Sequence, residues 1–161
     1  MKILVAGVGN VLLGDDGFGV EVAQRLATRP LPDGVRVVDF GIRGMDLAYA
    51  LLGGYDAAIV VDAVSRGGAP GTLYVLEPQV EPGPDGGPDT HAMHPARVLA
   101  LAVAMGGSVA TTMRLVGCEP GPVDLDELSM ELSAPVAAAV EPAIALVESI
   151  VAGFGGESPD A

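Results

Sequence analysis

The residues whose types and spacing suit chemistry are few. They are Asp15-Asp16 behind a glycine-rich loop, Asp39 and Asp62 at the ends of apolar runs, and His91 and His94, the chain's 2 histidines. The loop reads Gly7-Val8-Gly9-Asn10-Val11-Leu12-Leu13-Gly14-Asp15-Asp16-Gly17. An apolar run, a glycine turn and a helical pattern in succession suggest a dinucleotide-binding fingerprint, and Asp39 stands where a ribose-binding acid would. Two features oppose that reading. The third glycine of the fingerprint is replaced by Leu12. Asp15 and Asp16 also lie near the helix start, where a pyrophosphate needs positive potential. A dinucleotide-binding module is therefore the weaker alternative. One aspartate of the pair is read as a helix cap, worth about 0.5–2 kcal/mol. The second is left free for a metal or for acid–base work.

Asp62 follows Ala57-Ala58-Ile59-Val60-Val61 at the carboxyl end of a strand pattern. In open α/β sheets ligands bind at that edge, and the first strand ends there too, so Asp16 and Asp62 are expected to face one crevice. Taken alone, Asp62 reads equally as a residue that turns a loop. His91 and His94 sit in Asp89-Thr90-His91-Ala92-Met93-His94-Pro95, directly before a helical pattern. Asp16, Asp62 and one imidazole would offer two oxygens and one nitrogen with open coordination positions. That set suits nickel, iron, zinc or manganese better than calcium. The sequence has no zinc-finger cysteine pair, His-Glu-x-x-His helix or Gly-x-Ser-x-Gly elbow. Cys118 reads as a small buried residue rather than a nucleophile.

The elements that must position these side chains alternate as in an α/β domain. Strands are expected at Ile3–Ala6, Val35–Asp39, Ala57–Val61, Thr72–Leu76 and Met113–Val116. Helices are expected over Phe18, Val22 and Leu26, over Asp46–Leu52, and from Pro95 through Val98, Leu101, Ala102 and Met105. A last helix carries Val136, Val140, Ile144, Val147 and Val151, with Pro142 either kinking it or marking its start. The connection into the fourth strand is shorter than the dozen or so residues a parallel crossover needs, so that strand should run antiparallel. Glu77–Asp89, rich in Pro and Gly, reads as a plain connector or as a lid beside the histidines. The whole is expected to be one domain over residues 1–152, with a polar tail over 153–161.

Composition bounds the rest. The 161 residues are 50% hydrophobic and carry a formal net charge of −13. Such a surface repels phosphate backbones and anionic headgroups, which argues against nucleic acid and membrane surfaces as partners. The longest uncharged stretch, Val98–Met113, is interrupted by Gly106-Gly107-Ser108 and falls short of the about 20 apolar residues a span requires. The opening Met1–Val5 fails as a signal peptide because Gly7, Gly9, Asn10 and Asp15-Asp16 follow at once. With 1 cysteine the chain suits a reducing cytoplasm.

The opening motif from Gly7 through Gly17, extended by Phe18-Gly19-Val20, resembles that of the hydrogenase maturation endopeptidases. These proteases trim the C-terminal extension from the large subunit of nickel–iron hydrogenases. The resemblance continues through Asp39-Phe40-Gly41-Ile42-Arg43-Gly44-Met45, Ile59-Val60-Val61-Asp62-Ala63, Pro70-Gly71-Thr72, His91 and Leu115-Val116-Gly117-Cys118-Glu119-Pro120. It implies a three-layer α/β/α fold, phosphorylase/hydrolase-like, with a mixed five-stranded sheet and one antiparallel strand. It also implies an aspartic-type endopeptidase whose partner is the hydrogenase large-subunit precursor, with nickel carried by that precursor as the recognition element. By motif position the nickel contacts fall on Asp16, Asp62 and His91, and Asp39 joins them as a candidate catalytic residue. The family's acid at position 16 is often Glu, and the Thr of its Asp-Gly-Gly-Thr-like loop is replaced by Ile42. His94 is an extra imidazole that would substitute for His91. Two routes to cleavage follow, a nickel-bound water or a general base at Asp16 or Asp39. A nickel or assembly chaperone that never cuts is the other alternative. Oligomeric state is left open.

Overall fold

The computed structural model describes residues 1–77, 112–122 and 130–156. Five strands form one sheet in the order β2-β1-β3-β5-β4. They are β1 (Ile3–Val8), β2 (Val35–Gly41), β3 (Ala57–Ala63), β4 (Leu73–Leu76) and β5 (Thr112–Cys118). β1 pairs in parallel with β2 and β3, and β3 with β5, whereas β4 runs antiparallel to β5. The short connection after β3 does force that reversal: β4 returns along the sheet edge because too little chain is available to cross over.

The apolar runs are continuous because β1 and β3 are covered on both faces. Side chains alternate between two cores. Ile3, Val5, Ala57, Ile59, Val61, Val116 and Cys118 meet α1 (Phe18–Leu26) and α3 (Ala134–Gly156) on one face. Leu4, Ala6, Val8, Ala58, Val60 and Leu115 meet α2 (Gly44–Leu51) on the other. The three-layer α/β/α fold is thus the one expected.

Several boundaries move, each for a packing reason. β1 runs two residues past Ala6, taking Gly7 and Val8 out of the loop and into register with Asp39, Val61 and Gly41. β3 includes Asp62, which pairs with Gly117. Pro142 takes the internal of its two expected positions: α3 begins at Ala134, and the proline is exposed on its outer side. That outward placement leaves the carbonyl whose partner proline removes open to water. α3 also continues past the expected end at Ala152, because Val151 and Phe154 are buried in the core. It is the one described helix long and apolar enough to cross a membrane. Its stripe of Val136, Val140, Ile144 and Val147 is fully buried against the sheet instead. The expected 77–89 loop (from 78 onward), both histidines, the Pro95 helix and residues 157–161 lie outside the described residues.

Candidate active site

The carboxyl ends of β1 and β3 lie side by side, with Gly7 opposite Val61. The chain leaves β1 through Gly9, whose φ of 140° is open to glycine but rarely to other residues. A Cβ there would overlap the Asp16 carbonyl oxygen, so the loop folds back directly onto the turn that carries the acids. That turn is a single 3-10 turn, Gly14–Gly17, running into α1. The second residue of α1, Gly19, is pressed against the carbonyl oxygens of Val61 and Val8, leaving no space for a side chain. Glycines at 9 and 19 thus let the acidic turn sit on the sheet edge.

Asp16 and Asp62 are brought together. The Asp16 carboxylate accepts a hydrogen bond from the Asn10 backbone N–H at 2.8 Å, which ties it to the loop. Asp62 Oδ1 accepts from the Ala63 N–H, also at 2.8 Å. Withdrawal of the Asp62 carboxyl from water holds its pKa well above the ordinary 3.8, the negative charge of Asp16 raises it further, and the Ala63 N–H pulls it back in part. Among the described residues neither acid forms a salt bridge. A desolvated carboxyl beside a second negative charge, with no salt bridge to either among the described residues, suits the binding of a cation.

Asp39 stands apart. It shares a face with Val35 and Val37 on the α1/α3 side of the sheet, whereas Asp62 follows Ala58 and Val60 on the α2 side. Its carboxylate accepts from the Gly41 N–H at 2.9 Å and from Gln24 Nε2 at 3.2 Å, which is how an Asx turn holds the chain as it leaves a strand. Among the described residues no three His, Cys, Asp or Glu side chains form a metal-binding group. His91 and His94 lie outside those residues, so the structure places neither.

The expectation that one aspartate of the pair caps the following helix is corrected. α1 has no side-chain cap. Asp15 is buried and reaches across the fold: its carboxylate accepts from the Ser133 N–H at 2.6 Å, the Ser133 hydroxyl at 2.7 Å and the Gly121 N–H at 2.8 Å. Ser133 immediately precedes α3, so Asp15 supplies negative charge to the start of that helix, 118 residues away.

A second buried carboxylate, Glu119, escaped the sequence reading. Its Oε1 accepts from the N–H groups of Arg66 at 2.8 Å and Gly68 at 2.9 Å and from the Tyr74 hydroxyl at 2.8 Å. The Arg66 N–H holds its pKa below the usual range, against the effect of burial, with Tyr74 and Gly68 adding to the lowering. The same contact raises the Tyr74 hydroxyl. Glu119 thereby organises the connection that leaves Asp62. The signal was present, since Glu119 directly follows the buried run Val116-Gly117-Cys118, as Asp62 ends its own. Cys118 is fully buried, and burial followed by the Asp15 charge pushes its thiol up to about 11. It is therefore expected to resist thiol reagents in the folded protein and to react only once denaturant unfolds it, which a colorimetric thiol titration checks.

A mostly parallel sheet covered on both faces, with an acidic pair at its carboxyl edge, defines an α/β protein of the class that binds its ligands at strand ends. The hydrogenase maturation protease family model matches residues 20–150. The hydrogenase 2 maturation protease of Escherichia coli K12 is 35% identical over 161 residues, covering 98% of this chain and 95% of that protein. The hydrogenase expression/formation protein HupM of Azotobacter chroococcum mcd 1 is 38% identical over 157 residues, covering 96% of this chain and 73% of its own. The solved structure of the hydrogenase maturating endopeptidase HybD from E. coli matches with a TM-score of 0.79 and 32% identity, covering 96% of this chain and 94% of that one. The chain belongs to the hydrogenase maturation protease family, and it is an endopeptidase.

Proposed function

We propose that this enzyme removes the C-terminal extension of a nickel–iron hydrogenase large-subunit precursor in the cytoplasm, and that the nickel already bound by the precursor is its recognition element. The observation that carries the proposal is the desolvated Asp62 carboxyl beside the negative charge of Asp16, with no salt bridge to either acid among the described residues. The charge of Asp16 disfavours ionised Asp62 until a cation arrives, and nickel with open positions on the substrate is such a cation. His91 would supply the nitrogen ligand that completes the set.

Cleavage then follows beside the metal. Water adds to the scissile carbonyl, the carbon–nitrogen bond breaks, and the leaving amine takes a proton. Nickel held by Asp16, Asp62 and His91 would supply Lewis acidity for the carbonyl and the water. A carboxylate of the pair that the metal leaves free would take the water's proton. Asp39, on the opposite face and bonded to Gly41 and Gln24, holds its turn in this scheme rather than moving the proton.

Two surface features fit a protein-sized substrate. Val11 and Leu12 on the loop after β1, and Ile42 and Met45 after β2, are exposed. The Gly9 N–H donates to the Gly41 carbonyl at 2.9 Å, joining the two connections. The net charge of −13 favours encounter with a neutral or basic partner face.

Mass spectrometry of a nickel-loaded precursor before and after incubation tests the proposal. Loss of a C-terminal peptide from the loaded precursor, with the nickel-free precursor left intact, is expected. Equal cutting of both forms would remove nickel as the recognition element, and stable binding without cutting would point to a chaperone.

A further inference from the structure

We propose that Asp15 is a positioning residue for cleavage, holding the Asp16 carboxylate at its working distance from Asp62 by bolting the acidic turn to the start of the last helix. The inference rests on the reading of Asp16 and Asp62 as the working pair. Asp62 is fixed by its strand: β3 is paired with β1 up to Val61 and with β5 at Asp62 itself, opposite Gly117. Asp16 lies outside the sheet, and among the described residues the bonds to its own backbone and carboxylate are local: Leu13 N–H to the Asn10 carbonyl at 3.1 Å, Asp16 N–H to the Leu13 carbonyl at 3.2 Å, and Asn10 N–H to Asp16 itself.

Among the described residues, the long-range hydrogen bonds of the turn all run through the Asp15 side chain, to Gly121 and Ser133. The fit is close on the far side as well. A Cβ at Gly121 would lie 3.1 Å from Asp15 Oδ2 and 3.6 Å from Ser133 Oγ, so even one methyl group presses on the anchor. Three bonds to one buried carboxylate give a rigid joint, because charge-assisted hydrogen bonds are shorter and stronger than neutral ones. With Gly9 and Gly19 already in backbone contact around it, a slide of the turn would break this joint.

Full-length Asp15→Asn, Ser133→Ala, Ser133→Thr and Gly121→Ala variants, assayed on nickel-loaded precursor alongside circular-dichroism melts, test the role. Asp15→Asn is expected to lower kcat about 10–100-fold with KM within about twofold, the size of effect that a misplacement of about 1 Å produces. Ser133→Ala, which keeps two of the three bonds, should lose less, and Ser133→Thr, which restores the hydroxyl, should recover kcat. Gly121→Ala should fall between Ser133→Ala and Asp15→Asn. Folded Asp15→Asn and Ser133→Ala proteins with unchanged kcat would overturn the proposal, as would losses that only track the unfolded fraction. If Asp15→Asn does not fold, the Ser133 pair decides. Asp62→Asn serves as the control: undiminished cleavage by that variant would remove the underlying reading of the pair, whereas its loss beside a normal Ser133→Ala would remove only the role of Asp15.

Discussion

Asp62→Asn is expected to lower kcat/KM for precursor cleavage by at least about 10²–10⁴-fold, the range for losing a group that moves a proton in the transition state. The same change should make the fold more stable at neutral pH. The carboxyl of Asp62 holds its proton more tightly in the folded protein than in the unfolded chain, because burial and the charge of Asp16 disfavour its ionised form. Between the ordinary value of 3.8 and its raised folded value, the native state therefore binds more protons than the unfolded state. Stability accordingly falls as pH rises through that window and levels off above it. Asparagine keeps the oxygen that accepts from Ala63 and carries no charge, so it escapes this loss. The gain should be about 0.5–2 kcal/mol, typical of relieving one strained functional residue. It should shrink towards zero below the ordinary carboxyl pKa. Denaturant melts near pH 4 and pH 7, with cleavage followed by mass spectrometry, separate the two effects. A variant that cuts normally, or that is less stable than wild type at pH 7, contradicts the charge-pair description.

Gly19→Ala is the second large effect. Inside a helix, alanine is intrinsically favoured over glycine by about 1 kcal/mol. Sterics oppose this, since the new methyl would overlap the carbonyl oxygens of both Val61 and Val8. Those atoms belong to paired strands, so no rotamer change can make room, and overpacking of this kind costs about 1–3 kcal/mol, occasionally more. The clash outweighs the propensity. A lower denaturation midpoint is expected, together with a cleavage defect in the fraction that remains folded, because the helix can yield only by lifting the Asp16 turn away from Asp62. Equal or higher stability of Gly19→Ala would show that helix and strands are not in the contact described.

Much of this was legible in the chain because burial leaves a local trace. The runs Ile3–Ala6 and Ala57–Val61 announce strands covered on both sides, and the short connection to β4 announces its reversal. Asp62 stands out as a charge at the end of such a run, and Asp16 as one acid more than a cap requires. What stayed hidden depends on residues far apart. No periodicity connects Asp15 with Ser133, and the carboxylate that a local rule assigns to its own helix serves another one. Glu119 is marked by the buried run before it, but not its partners: three donors from the distant 66–74 segment converge on it once β5 closes against β4. The end of α3 differs because residues 153–161 read as a polar tail, whereas Phe154 packs into the core and holds the final turn.

The position of α3 at the end of the described chain bears on how the molecule is made. Val5, Ile59 and Val61 are covered by residues that include Val140, Ile144 and Val147, which leave the ribosome only after all five strands. A nascent chain therefore carries that sheet face covered only in part, by α1, until α3 emerges, at about 5–20 residues per second, and is most prone to clump in that interval. Shortening the protein from its carboxyl terminus into α3 would make that transient hazard permanent.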